Sequence, residues 1–144
     1  MSRTEMRTEN TQTEDPILEV RDATVTFDMS RGTSRVLNGV DLDVERGETL
    51  GVVGESGSGK SMLANVILDS VPNPGETSGT VQYHPSSGDE SLDILQLENE
   101  HLRQVRWEHV SMLFQGAMSS FNPVMRIADH LRETLSSHGY DVRE

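Results

Sequence analysis

Cysteine is absent from the 144 residues, which excludes a disulfide framework and any thiolate metal site. Aromatic residues make up 4% of the chain and hydrophobic residues 33%, lean for a self-sufficient core of this length. No apolar run approaches the roughly 18 residues that cross a bilayer, and the polar, acid-containing start has no signal-peptide h-region. Lysine is all but missing: Lys60 is the only one, and the other eleven formal positive charges are arginines. The five histidines, at 84, 101, 109, 130 and 138, form no ligand-spaced cluster, so solvated or capping roles are expected of them.

Acid is what the chain has in excess. A net charge of −12 and a pI near 4.7 oppose a phosphate backbone, so nucleic acid is not an expected partner. The carboxylates are spread along the whole chain and arginine replaces lysine. That pattern fits a protein of a salt-rich cytoplasm, where screening weakens the repulsion; an ordinary acidic surface is the plainer alternative.

Residues 1–15 are polar and aperiodic and are expected to form a flexible tail. Periodic structure begins after them and occupies 16–144. Leu18, Val20, Val25 and Phe27 alternate as in a strand, with a break near Asp22, and Val36, Val40, Leu42 and Val44 alternate in the next. "ERGE" reads as a tight turn, and "TLGVV" (49–53) as a short apolar strand buried on both faces. Met62, Leu63, Val66 and Ile67 recur at helical spacing. "SGTVQYH" is strand-like, "PSSGDES" a surface loop, and "LENEHLRQVRWEH" helical, with Leu97, Leu102, Val105 and Trp107 as its apolar members. "VSMLF" (110–114) reads as a second buried strand. Ile127, Leu131 and Leu135 form one helical stripe closed by Gly139. The order implies an α/β layer with an antiparallel β annex.

Residues 51–63, "GVVGESGSGKSML", satisfy G-x-x-x-x-G-K-[ST] from Gly54 to Ser61. Such a loop wraps a polyphosphate with successive backbone N–H groups, which side chains at Gly54, Gly57 and Gly59 would obstruct. It runs into a helix N-terminus whose dipole favours an anion. Lys60 suits the pocket as a compact point charge reaching the β- and γ-phosphates, where the planar fork of arginine does not fit. The Ser61 hydroxyl is a candidate ligand for Mg²⁺. The whole run Gly54, Glu55, Ser56, Gly57, Ser58, Gly59, Lys60 and Ser61 is therefore the candidate nucleotide site. A strand before it and an amphipathic helix after it supply the context that a chance glycine-rich turn lacks.

With "VLNGVDLDVERGETLGVVGESGSGKS" and "LFQGAMSSFNPVMRI" together, the chain resembles an ATP-binding-cassette (ABC) transporter ATPase over residues 17–138. Within that family it resembles the branch serving dipeptide, oligopeptide and nickel importers. The resemblance implies a P-loop NTPase (RecA-like) core with an antiparallel β-subdomain, ATP and Mg²⁺ as cofactors, and ABC permease subunits plus a second nucleotide-binding subunit as partners. It places the protein at the cytoplasmic face of the membrane. It makes Gln115 the Q-loop glutamine, touching Mg²⁺ or the attacking water, and aligns Phe27 with the aromatic that stacks on adenine. A core role for Phe27 stays open. Gly116 and Ala117 depart from the acid and proline common in this branch. Met118, Phe121, Val124 and Met125 match the groove that receives a permease helix; packing under the helix that starts near Ile127 is the other reading.

The family's signature loop, its Asp-Glu pair and its switch histidine do not occur before Glu144. "LSSHG" (135–139) lacks the glycine pair and glutamine of a signature. The expectation is thus an incomplete domain, the N-terminal part of a nucleotide-binding domain, silent as an ATPase by itself. Strands near the P-loop would lack neighbours and leave apolar edges exposed. A small P-loop kinase or GTPase, and a non-catalytic nucleotide-binding remnant, are the competing readings.

Overall fold

The hairpin at the start of the chain forms because its apolar positions alternate and its turn is short. β1 (Leu18–Met29) pairs antiparallel with β2 (Gly32–Val44), from Leu18 opposite Val44 to Met29 opposite Gly32. β3 (Gly75–Tyr83) adds to the other edge of β1, and the two-residue β4 (Leu92–Asp93) adds to β3, giving the order β2-β1-β3-β4. The computed structural model describes residues 16–30, 32–86, 90–116 and 121–142. The expected tail at 1–15 lies outside them, as does the middle of the "PSSGDES" loop. The chain divides into two units, 1–110 and 111–144, and each is treated by itself.

The expected break in the first strand is a β-bulge. Asp22 has φ 51° and the register shifts between Val20 and Ala23 on one side of β1 and between Arg21 and Thr24 on the other. The extra residue bends the strand and returns Val20, Ala23 and Val25 to one fully buried face. In β2 the expected phase holds only in part. Leu37, not Val36, is the buried residue, because the register slips again between the Ala23–Val40 and Val25–Leu37 pairs.

Helix α1 (Lys60–Ile67) lays Leu63 and Val66 into the core, beside Val81, Tyr83, Ile94 and Leu102. A single 3₁₀ turn (Ile94–Gln96), capped by the Asp93 carboxylate on Leu95 N at 3.2 Å, drives Ile94 into that core. α2 (Asn99–Glu108) buries Leu102 and Val105. "ERGE" forms the expected turn, closed by Glu48 N to Glu45 O at 3.1 Å.

Two expectations fail. Neither 49–53 nor 110–114 is a strand, and neither is buried: Val53 is 94% exposed and Leu113 91%. A parallel-sheet strand buried on both faces needs a paired neighbour and covering helices. Among the described residues none pairs with either segment, so Leu50, Val52, Val53, Leu113 and Phe114 stay exposed, while Val110 packs partly buried against the core. Beside α1, an apolar hollow of about 400 Å³ opens between Leu42, Val44, Leu50, Val52, Leu63 and Ile67.

In the second unit, α3 (Ile127–Ser137) ends in a Schellman arrangement, with Gly139 N on Ser136 O and Tyr140 N on Leu135 O, each at 3.1 Å. Its Ile127 and Leu131 stripe is exposed and Leu135 half-buried. The Asn122-Pro123 turn leads into it: Asn122 N donates to His130 Nε2 at 3.2 Å, and the Phe121 ring meets the His130 ring edge-on at 5.2 Å.

Candidate nucleotide site

The loop from Gly54 to Gly59 turns back on itself through Ser58 N on Glu55 O, 3.2 Å. Gly59 is the N-cap of α1 at φ 91°, and a Cβ there would lie 2.8 Å from Leu37 Cδ2 and 3.1 Å from Val36 O. Only glycine satisfies both the left-handed backbone and this approach of the loop to β2. The buried Leu37 thus forms the floor beneath the loop's last residue, a role that the alternation of apolar residues did not single out.

Helix α1 starts with no side-chain cap and no acid in its first turn. Its first amides, which an α-helix leaves without internal partners, are therefore available to an anion, and the positive end of the dipole is uncompensated. The Lys60 ammonium folds onto the loop and donates to Gly54 O at 2.8 Å, Glu55 O at 2.6 Å and Ser58 Oγ at 3.2 Å. Ser61 follows in the first turn with its side chain exposed. Loop, amides and ammonium belong to one local arrangement, with the donor chemistry that a polyphosphate requires.

The other candidates belong to other elements. Phe27 lies toward the end of β1, opposite Gly75 and Ser34; its ring packs against Gly75 and it is half-buried at the edge of the core. Gln115 belongs to the second unit, in an exposed turn after the unpaired segment 110–114, and so does not end a buried strand as expected. Of the segment read as a groove, Met118 lies outside the described residues, Phe121 and Val124 are exposed and Met125 is half-buried. No group of three or more His, Asp or Glu side chains able to hold a metal occurs among the described residues.

Sequence comparison matches residues 37–143 to the ABC transporter family. The chain is 37% identical over 138 residues to the oligopeptide transport ATP-binding protein OppD of Salmonella typhimurium, covering 96% of this chain and 39% of that protein. It is 32% identical over 124 residues to the dipeptide transport ATP-binding protein DppD of Caldanaerobacter subterraneus, covering 85% and 36%. It is 39% identical over 135 residues to the peptidoglycan transport ATP-binding protein YejF of Agrobacterium fabrum, covering 92% and 23%. The chain thus spans less than half the length of each of these relatives.

Proposed function

Because this chain belongs to the ABC transporter family, in its oligopeptide and dipeptide importer branch, we propose that it binds ATP with Mg²⁺ as part of the ATP-binding subunit of an importer. The observation that carries this reading is the uncapped start of α1 behind Gly59, with the Lys60 ammonium folded over the same loop. The amides at the start of α1 would hold phosphate oxygens, Lys60 would leave the loop carbonyls for the β- and γ-phosphates, and Ser61 would ligate the metal. Bound ATP supplies the free energy that the family couples to transport. Gln115 is assigned to sensing the γ-phosphate, and Phe27 to the adenine side or to the core.

Peptides are favoured over nickel as the solute because the names of the relatives point to peptides. Permease subunits and a second nucleotide-binding subunit are the proposed partners, at the cytoplasmic face of the membrane. No helix among the described residues is long and apolar enough to cross one. The exposed Phe121, Val124, Ile127 and Leu131 are the surface assigned to a permease helix. On this reading residues 16–144 are one portion of a nucleotide-binding domain with a RecA-like core, in keeping with the share of each relative that the chain covers. The acidic surface is assigned to a salt-rich cytoplasm.

The test is a titration of the folded chain with a fluorescent ATP analogue (mant-ATP) in high salt with magnesium. Saturable binding, displaced by ATP and lost in Lys60→Ala, is expected. A strong preference for GTP in displacement points instead to a GTPase-like site, and no binding to the folded chain overturns the proposal.

A further inference from the structure

Helix α1 is gripped at its far end by a residue from another helix. Its C-terminus closes as a Schellman motif with Asp69 at φ 46°: Asp69 N donates to Val66 O at 2.9 Å and Ser70 N to Asn65 O at 2.8 Å. The next two carbonyls face the guanidinium of Arg106 in α2. Arg106 Nε donates to Leu68 O at 2.8 Å, and Nη2 donates to Asp69 O at 2.6 Å and also to Leu68 O. α1 has no basic residue in its own last turn. The cation that complements its dipole comes from 38 residues further along the chain.

An eight-residue helix is too short to hold its own direction in water. What fixes its axis is the buried stripe of Leu63 and Val66 together with the grip on its end. Arg106 supplies that grip from α2, which is itself anchored through the buried Leu102 and Val105. Its planar fork matches two successive carbonyls, where an ammonium is a single point of attachment. The helix is about 12 Å long, so a tilt of about 10° about its C-terminus moves its N-terminal end by about 2 Å. That is enough to break the hydrogen-bond geometry its first amides offer an anion.

We propose that Arg106 is a positioning residue for nucleotide binding: by clamping the C-terminus of α1, it aims the amides and Lys60 at the opposite end. The proposal rests on the nucleotide reading of the Gly54–Ser61 loop.

The test compares the full chain with Arg106→Gln and Arg106→Lys. It measures mant-ATP affinity with magnesium in high salt, at a temperature where circular dichroism shows each protein folded. Hydrogen exchange at residues 59–63 without nucleotide is measured alongside. Arg106→Gln is expected to weaken binding roughly tenfold and to speed exchange at 59–63, with Arg106→Lys between it and the parent. Unchanged affinity in a folded Arg106→Gln, even with a lower melting temperature, overturns the proposal. If Arg106→Gln does not fold, parent-like affinity in Arg106→Lys overturns it. If the parent itself binds no mant-ATP, the nucleotide reading fails separately. Exchange at 59–63 then decides whether Arg106 braces the helix, and equal exchange in parent and variants counts against it.

Discussion

The Lys60 ammonium lies 2.6 Å from the carbonyl oxygen of Glu55, five residues before it in the chain. The contact makes the lysine a strut of its own loop: the charge that suits a phosphate also satisfies carbonyls that the turn leaves facing inward. These bonds are exposed, so their net contribution to stability is small, whereas a charge aimed at a polyphosphate acts with several amides at once.

Lys60→Met keeps the length of the stem and removes all three donated bonds. It is expected to lower stability by no more than about 1 kcal/mol while weakening mant-ATP binding more than tenfold. Urea melts and titrations on the same samples measure the two effects. Lys60→Arg is expected to fail in binding as well, since its fork does not enter the loop. Parent-like affinity in either variant speaks against a phosphate role for this position.

The bulge in β1 depends on Gly79 in β3. Gly79 has φ 105°, and a Cβ there would lie 2.5 Å from Arg21 O and 2.6 Å from Asp22 O. Gly79→Ala forces two strands apart where the backbone already takes a glycine conformation, and is expected to cost about 2–4 kcal/mol. Urea denaturation measures it; a loss well below 1 kcal/mol means that the bulge relaxes freely.

Burial raises the Asp69 carboxyl above its ordinary value, and the Arg106 charge partly opposes the rise. A carboxyl raised on folding contributes stability below its unfolded pKa and loses it as pH climbs through the folded value. Asp69 therefore works against the fold at neutral pH. Asparagine accepts the left-handed backbone at this position, so Asp69→Asn is expected to raise the melting temperature at pH 7. The gain should shrink toward zero near pH 3, below the ordinary Asp range of about 3.9. Melts of both proteins across this range test it, and an equal gain at both ends excludes charge as the cause.

The charge of −12 crowds locally as well as globally. Glu19 and Asp43 both pair with Arg21, and Asp41, which accepts from Asp22 N at 2.8 Å, lies within reach of the same charge, so three carboxylates share one guanidinium's neighbourhood. Raising KCl from about 0.1 M to about 1 M shortens the screening length from about 10 Å to about 3 Å. The melting temperature is expected to rise across that range, because exposed pairs such as Arg21–Asp43 contribute little and lose little. A flat or falling curve removes the salt-rich cytoplasm from the account of this surface.

What could be read along the chain was whatever local chemistry decides. The break at Asp22, the turn at Glu45–Glu48, the Gly54–Ser61 loop, and the helices at 60–67, 99–108 and 127–137 depend on residues within a few positions of one another. So does the stop at Gly139. The 3₁₀ turn at Ile94 was missed although Asp93 carries its cap, because three residues show no period.

Tertiary structure decided the rest. "TLGVV" and "VSMLF" have the composition of buried strands, but burial belongs to a strand's neighbours and not to the strand. With none paired beside them among the described residues, Val53 and Leu113 face water. The second register slip, between the Ala23–Val40 and Val25–Leu37 pairs, chose Leu37 over Val36 for the core, since a one-residue slip exchanges the two faces of a strand. Arg106 met the carbonyls at the end of α1 only because α2 packs where its buried stripe takes it. The glycine-rich loop from Gly54 to Ser61 is thus written locally. The direction in which it points is held by contacts between residues far apart in sequence, which a linear pattern does not encode.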